Sequence, residues 1–107
     1  ALALGDIGSH FPDNDEKYKD ISSMELLKQT ISIMKEKNYT LSNTDITIII
    51  EKPKMRDFID LMRENLSKAL NTSIDNISIK AKTNEKMDAV GEGKAVAVHC
   101  VTLLEKI

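Results

Sequence analysis

The sequence is poor in the residues that advertise a chemistry on their own. It has one cysteine, Cys100, so neither an internal disulfide nor a thiolate zinc site can form within the chain, and a reducing compartment suits that usage. Arginine is nearly as scarce: Arg56 and Arg63 are the only two, and lysine supplies the other basic charges. Formal charge is -2 with acids and bases interspersed, which leaves no concentrated positive face for a nucleic-acid backbone. Apolar runs are too short to span a bilayer, and neither a repeat nor a low-complexity tract is visible. What is present is a chain of 107 residues, 41% hydrophobic. That suffices for one small domain with a packed core, and its modest burial leaves room for help from subunit contacts.

Ala1–Leu4 is an apolar stretch halted at Gly5, the pattern of a closing helical turn, so the chain is expected to begin inside a fold. Residues 5–21, rich in Gly, Asp, Asn and Pro, read as a long polar loop. Ser22–Glu25 fits a capping box, with Ser22 as N-cap and Glu25 reaching back to its amide. Met24, Leu27, Ile31 and Met34 then recur at helical spacing, which predicts a helix over 23–37 ending before Asn38. Over 44–51, Asp45 and Thr47 alternate with Ile46 and Ile48 in a β-branched strand. Lys52–Met55 breaks it, and a second helix carries Phe58, Leu61, Met62, Leu66, Ala69 and Leu70 on one face.

Ile77, Ile79 and Ala81 alternate with Ser78 and Lys80 in a second strand, followed by a polar turn at Lys82–Glu85 and by Gly91-Glu92-Gly93. A third strand over 94–104 is apolar on both sides, with Ala95, Ala97 and Val101 on one and Val96, Val98 and Cys100 on the other. Two-sided burial needs cover on both faces. The expected architecture is therefore α+β: a mixed sheet with both helices packed on one face and other subunits on the other. Cys100 and His99 are expected in the core or an interface.

Several residues carry chemistry, each with a plainer reading beside it. Asp6 can accept hydrogen bonds from vicinal hydroxyls while Gly8 lets backbone approach a sugar; Asp6 can equally cap a turn. Asp13 and Asp15, at i and i+2, suit a hard cation or hydroxyls, or simply a solvated turn. In Ile50–Arg56, Pro53 removes a donor and leaves neighbouring amides and carbonyls free to read a base edge, while the same residues can start a helix. Thr83 can donate to a phosphate, and Glu85 offers the single carboxylate that magnesium commonly takes from protein, or is an exposed turn acid. Lys82 adds a cation near phosphate or points into solvent. His10 reads as a loop histidine.

Three separated segments resemble the 2-C-methyl-D-erythritol 2,4-cyclodiphosphate synthase family. Gly5-Asp6-Ile7-Gly8 with Phe11-Pro12-Asp13-Asn14-Asp15 looks like its G-D-I-G and F-P-D-x-D loop. Asn43–Ile48 with Pro53-Lys54-Met55 is similar to its N-x-D-x-T-I strand and P-K-M turn, and Lys80–Lys86 resembles its K-A-T-T-x-E-K segment. The order, spacing and intervening helices agree across all 107 residues.

The resemblance implies a lyase of the non-mevalonate isoprenoid route, in which the 2-phosphate of a CDP-linked methylerythritol attacks its β-phosphate and CMP leaves. It implies a homotrimer, the sheet's second face in the trimer core, and active sites between subunits. Asp6, Ile7 and Gly8 would hold the ribose, and Phe11, Asp13 and Asp15 the methylerythritol end as a mobile flap. Ile50, Lys54, Met55 and Arg56 would shape the cytosine turn, largely through backbone. Lys82, Thr83, Asn84 and Glu85 would meet the diphosphate, with Thr83 as the catalytic, transition-state-stabilising hydroxyl and Glu85 as ligand to Mg²⁺ or Mn²⁺. The family's Zn²⁺ is held by one Asp and two His, all upstream of Ala1, so no zinc set is expected here.

Departures from the pattern matter too. Lys82 stands where threonine is usual, and Ala89, Glu92 and Lys94 replace an aromatic, an arginine and a glutamate. A Glu92–Lys94 ion pair of reversed polarity is expected, without the cationic partner for an isoprenoid diphosphate. A plastid (apicoplast-like) stroma or a bacterial cytoplasm fits, the lysine and asparagine bias favouring the former. The rival reading is a non-catalytic, cytidine-nucleotide-binding trimeric module that keeps Asp6, Gly8 and the Pro53 turn without the metals.

Overall fold

Ile77 is the most deeply buried side chain, at 1% exposure, and the sheet around it shows why. A computed structural model describes residues 1–107. Strands β1 (Tyr39–Ile49), β2 (Ile77–Lys82) and β3 (Ala97–Lys106) form one sheet in the order β2-β1-β3. β1 and β2 are parallel, in a register that places Thr44 beside Ile77, Ile46 beside Ile79 and Ile48 beside Ala81. β3 runs the other way: Thr44 Oγ1 lies 3.0 Å from Thr102 Oγ1, while Asn38 O accepts from Ile107 N at 2.8 Å. The sheet is thus mixed and the class α+β, as the residue pattern predicts.

By contacts, residues 1–40 with 104–107 form one compact unit and residues 41–103 another. In the second unit, helix α3 (Ile59–Leu70) packs against β2. Ile48, Ile77 and Ile79 form the core, and Ile46, Ile50, Met55, Ile59, Met62, Leu66 and Leu70 close over it. The working face of α3 is therefore Ile59, Met62, Leu66 and Leu70. Phe58 and Leu61, assigned to that face from sequence, are 51% and 57% exposed: Phe58 precedes the helix in a 3-10 turn, and Leu61 lies off the helix's buried stripe. Arg63 ties α3 to the start of β2, its Nε donating to Ile77 O at 2.8 Å and a terminal nitrogen to Ile74 O at 3.0 Å. That fork meets two carbonyls at once, a geometry lysine cannot supply. On the sheet's opposite face, Lys80 Nζ contacts both carboxylate oxygens of Asp45 at 2.9 Å.

In the first unit, helix α2 (Ser23–Glu36) starts where expected: Ser22 Oγ accepts from Glu25 N at 3.1 Å, the serine half of the capping box. It stops at Asn38, whose φ of 64° breaks the helical run. Ile31 is its buried anchor, whereas Met24 is exposed. Two expectations fail upstream. Ala1–Leu4 is not a helical turn, since it has no regular structure and Ala3 takes a φ of 55°. Residues 5–21 are not all loop either: they contain α1 (Ile7–His10) and a 3-10 turn at Glu16–Tyr18, each started by an aspartate.

Strand limits also shift. β1 extends upstream to Tyr39 and ends at Ile49, and β3 starts at Ala97, three residues later than expected. The short helix α4 (Asp88–Gly91) follows the Lys82–Glu85 turn, where the sequence reading places no element. Glu92 and Lys94 do pair, Oε2 to Nζ at 2.8 Å, in the open.

On β3 the chain's own helices do not supply the cover expected for one face. Val98, Val101 and Leu103 are 58%, 73% and 57% exposed, and His99 and Cys100 are exposed as well. β3 is an edge strand, and α3 covers the β1–β2 side of the sheet. Its two-sided apolar character is therefore unspent within one chain.

Candidate functional site

Each unit carries a concavity, and each concavity is lined by part of the sequence-assigned set. In the first unit a cavity of about 360 Å³ is lined by residues 1–7, His10, Phe11, Thr30, Ile33 and Met34. Its polar rim is built locally. Asp6 caps α1, its Oδ1 accepting from Ser9 N at 2.9 Å, while Ser9 Oγ donates to Asp6 O at 2.8 Å. The turn-capping reading of Asp6 is thus realised, and its second oxygen makes no bond within the chain. His10 Nε2 donates to Leu4 O at 2.7 Å, fixing the entry segment against α1.

Asp6, Ile7 and Phe11 line this cavity. Gly8 is exposed on α1. Phe11 meets Tyr18 edge to face at 5.3 Å. Asp13 and Asp15 line neither concavity: Asp13 is exposed, and Asp15 caps the 3-10 turn by accepting from Lys17 N at 3.0 Å.

In the second unit a cleft of about 410 Å³ lies between the Ile50–Arg56 turn and the end of β2. Ile50, Lys54, Met55, Arg56, Lys82 and Thr83 line it together, with Glu51, Pro53, Asp57, Ile59 and Ala81. The parallel β1–β2 pair causes this meeting, because both strands end on the same side. Ile50 N donates to Lys82 O at 2.9 Å, the last rung before the chains diverge. Lys54, Arg56 and Lys82 bring three cations to the cleft, an arrangement suited to phosphate. The Lys52–Pro53 bond is cis.

Asn84 and Glu85 continue from Thr83 into a tight turn. Asn84 Nδ2 donates to Met87 O at 3.1 Å, Met87 N donates back to Asn84 O at 2.9 Å, and Glu85 N donates to Thr83 Oγ1 at 3.4 Å. Glu85 and Lys86 sit at φ of 52° and 62°, successive left-handed positions that non-glycine residues hold only when their surroundings impose them. Asp88, at φ 55°, closes the turn by accepting from Val90 N at 2.9 Å. The Asn84 side chain, then the Val90 N–H, hold its carboxyl below the usual aspartate range.

Two contributors escape sequence reading. Glu51 accepts from Asn84 N at 3.2 Å and Lys86 N at 3.1 Å through one oxygen. Gly91 is buried against the backbone of Lys86. Glu51 has no local signature, since its contacts lie 33 and 35 residues away.

Nowhere in the chain do three or more His, Cys, Asp or Glu side chains gather to hold a metal ion. The carboxylate of Glu85 is exposed and has no partner within the chain, so it is available as a single ligand of the kind magnesium accepts.

Comparison with known proteins gives one consistent result. The YgbB family pattern matches residues 1–105. A protein of Brachyspira hyodysenteriae named 2-C-methyl-D-erythritol 2,4-cyclodiphosphate synthase is 74% identical over 106 residues, covering 99% of this chain and 67% of its own length. The enzyme of that name from Fusobacterium nucleatum is 53% identical, with 99% and 66% covered. Among solved structures, the CDP complex of Plasmodium falciparum IspF superposes with a TM-score of 0.85 at 34% identity, covering 99% of this chain and 63% of that one. The bifunctional IspDF of Campylobacter jejuni superposes with a TM-score of 0.92 at 38% identity, covering 97% and 28%. The chain spans about two thirds of the length of the curated relatives it matches.

Proposed function

This chain belongs to the YgbB family, and on that premise we propose that its protein converts 4-diphosphocytidyl-2-C-methyl-D-erythritol 2-phosphate to 2-C-methyl-D-erythritol 2,4-cyclodiphosphate and CMP. The observation that carries the reading is the cleft in which the Ile50–Arg56 turn faces Lys82 and Thr83. It supports a nucleotide base at the Pro53 turn, read through backbone groups, with its diphosphate beside Thr83.

The reaction is an intramolecular displacement. An oxygen of the 2-phosphate bonds to the β-phosphorus, the bond from that phosphorus to the α–β bridging oxygen breaks, and the electron pair departs on CMP. Such a transfer needs alignment and charge neutralisation more than covalent help. Lys54, Arg56 and Lys82 supply fixed positive charge, and the Thr83 hydroxyl donates to the transferring group. Glu85 would hold a Mg²⁺ or Mn²⁺ that offsets phosphate charge. The chain's own residues assemble no zinc set, so no step is derived through zinc.

Asp6, Ile7 and Gly8 would take the ribose, and Phe11, Asp13 and Asp15 the methylerythritol end, with the site completed between subunits of a homotrimer. The uncovered apolar side chains of β3 support such an assembly. No helix is long and apolar enough to cross a membrane. The bacterial relatives favour a bacterial cytoplasm over a plastid stroma.

The test is CMP release from authentic substrate by the full-length protein, with and without chelator. Metal-dependent release is expected. CDP binding without any CMP release would instead indicate a nucleotide-binding module, and chelator-insensitive release would overturn the metal role.

A further inference from the structure

We infer that Glu51 is a positioning residue for the reaction proposed above, holding the Thr83–Lys86 turn in its working shape through the backbone amides of Asn84 and Lys86. The inference rests on that reading of the cleft, and three observations carry it. First, one carboxylate oxygen takes both contacts, at 3.2 Å and 3.1 Å, so a single side chain pins two points that flank Glu85. Second, the pinned segment is strained, with Glu85 and Lys86 in successive left-handed conformations that relax unless held. Third, Glu51 is half-buried directly beyond the end of β1, so its position derives from the sheet and not from the loop it restrains.

The turn has other supports, but they act elsewhere. The Asn84–Met87 bonds and the Asp88 cap close it on itself. Beyond the Ile50 N–Lys82 O bond at the strand ends, Glu51 ties it to the Ile50–Arg56 turn through two further bonds. Glu51 therefore fixes the part of the turn that bears Glu85 relative to the end of β1. Misplacing a catalytic group by a small distance is costly when catalysis depends on alignment.

A neutral amide of the same length keeps the acceptor oxygen, whereas a methyl removes it. Glu51→Gln and Glu51→Ala thus separate hydrogen bonding from charge. In the full-length protein, Glu51→Ala should lower kcat by about tenfold or more and raise the half-saturating Mg²⁺ concentration, while CDP affinity without metal changes less than about twofold. Glu51→Gln should recover most of the loss. Backbone amide exchange adds a readout independent of turnover: Asn84 and Lys86 should be protected in the wild type and in Glu51→Gln.

Wild-type kcat in Glu51→Ala, failure of Glu51→Gln to recover activity, or parallel collapse of kcat and CDP affinity would each overturn the role. So would rapid exchange of both amides in the wild type, which decides the matter even where Glu51→Ala does not fold. Absence of CMP release by the wild type would defeat the proposed function while leaving the amide result to stand or fall separately.

Discussion

Gly91 lies so close to Lys86 that a Cβ at residue 91 would fall 2.3 Å from the Lys86 carbonyl carbon. The obstacle is backbone, which cannot swing aside as a side-chain tip can. The turn bearing Glu85 and the helix α4 therefore touch through a glycine because no larger residue fits. Gly91→Ala should destabilise the protein by about 1–3 kcal/mol, the usual range for overpacking, and should slow CMP release by displacing Glu85. Urea unfolding and turnover check this together; unchanged values for both would show that the turn yields freely.

The exposed, unpartnered carboxylate of Glu85 leads to a sharper expectation. Glu85→Gln should raise the divalent-ion concentration needed for half-maximal activity roughly tenfold, equivalent to about 1.4 kcal/mol of lost ion binding. CDP affinity measured in chelator should stay nearly unchanged. Calorimetric titration with CDP in both conditions decides it, and a collapse of metal-free affinity would remove Glu85 from the role of ligand.

Asp45 gives the acid side of the stability profile. Its carboxyl is held below the usual aspartate range, chiefly by the Lys80 hydrogen bond, with a weaker Ser78 contribution and partial opposition from desolvation. A lowered folded-state value means that the unfolded chain takes up protons first as pH falls. The stabilisation is therefore complete above the ordinary aspartate value of about 3.9 and is lost as pH drops through the lowered one. Asp45→Asn should flatten that limb while leaving Tm near neutral pH little altered, since the pair is exposed. Thermal melts from neutral pH down to the acid transition provide the measurement.

Val101, the most exposed of the three exposed large apolar residues on β3 at 73%, tests the proposed assembly. Val101→Glu places a charge where a neighbouring subunit would bury a side chain, and unpaired buried charge is strongly unfavourable. Sedimentation should show a trimer for the wild-type full-length protein and a monomer for the variant. A trimeric variant would move the interface away from this part of β3.

The elements that read correctly from sequence are those set by neighbours a few residues apart. Ser22 and Glu25 announce the start of α2, Asn38 its end, and the alternation around Ile46 and Ile48 announces β1. α1 and the 3-10 turn at Glu16–Tyr18 escape notice because they are too short for periodicity, although Asp6 and Asp15 cap them in the ordinary way. Leu61 misleads because a helix of suitable period can rotate about its axis. Only the positions of Ile48, Ile77 and Ile79 select Ile59, Met62, Leu66 and Leu70 as the buried stripe.

The candidate site divides the same way. Thr83 and Glu85 are visible as residue types that suit phosphate and metal, and their place in the cleft follows from β1 and β2 ending side by side. Glu51 acts through contacts 33 and 35 residues away, which no window of sequence contains.

By itself the sequence determined where α2 starts and stops, the alternation of β1 and β2 and the residue types able to meet phosphate, because capping and side-chain periodicity are short-range forces. Tertiary structure alone decided which helix face is buried, that Glu51 braces a turn 33 residues away, and that β3 keeps its apolar side chains uncovered within one chain. Those outcomes depend on which segments the parallel pairing of β1 and β2 brings together, and packing between distant segments leaves no periodic trace in the chain.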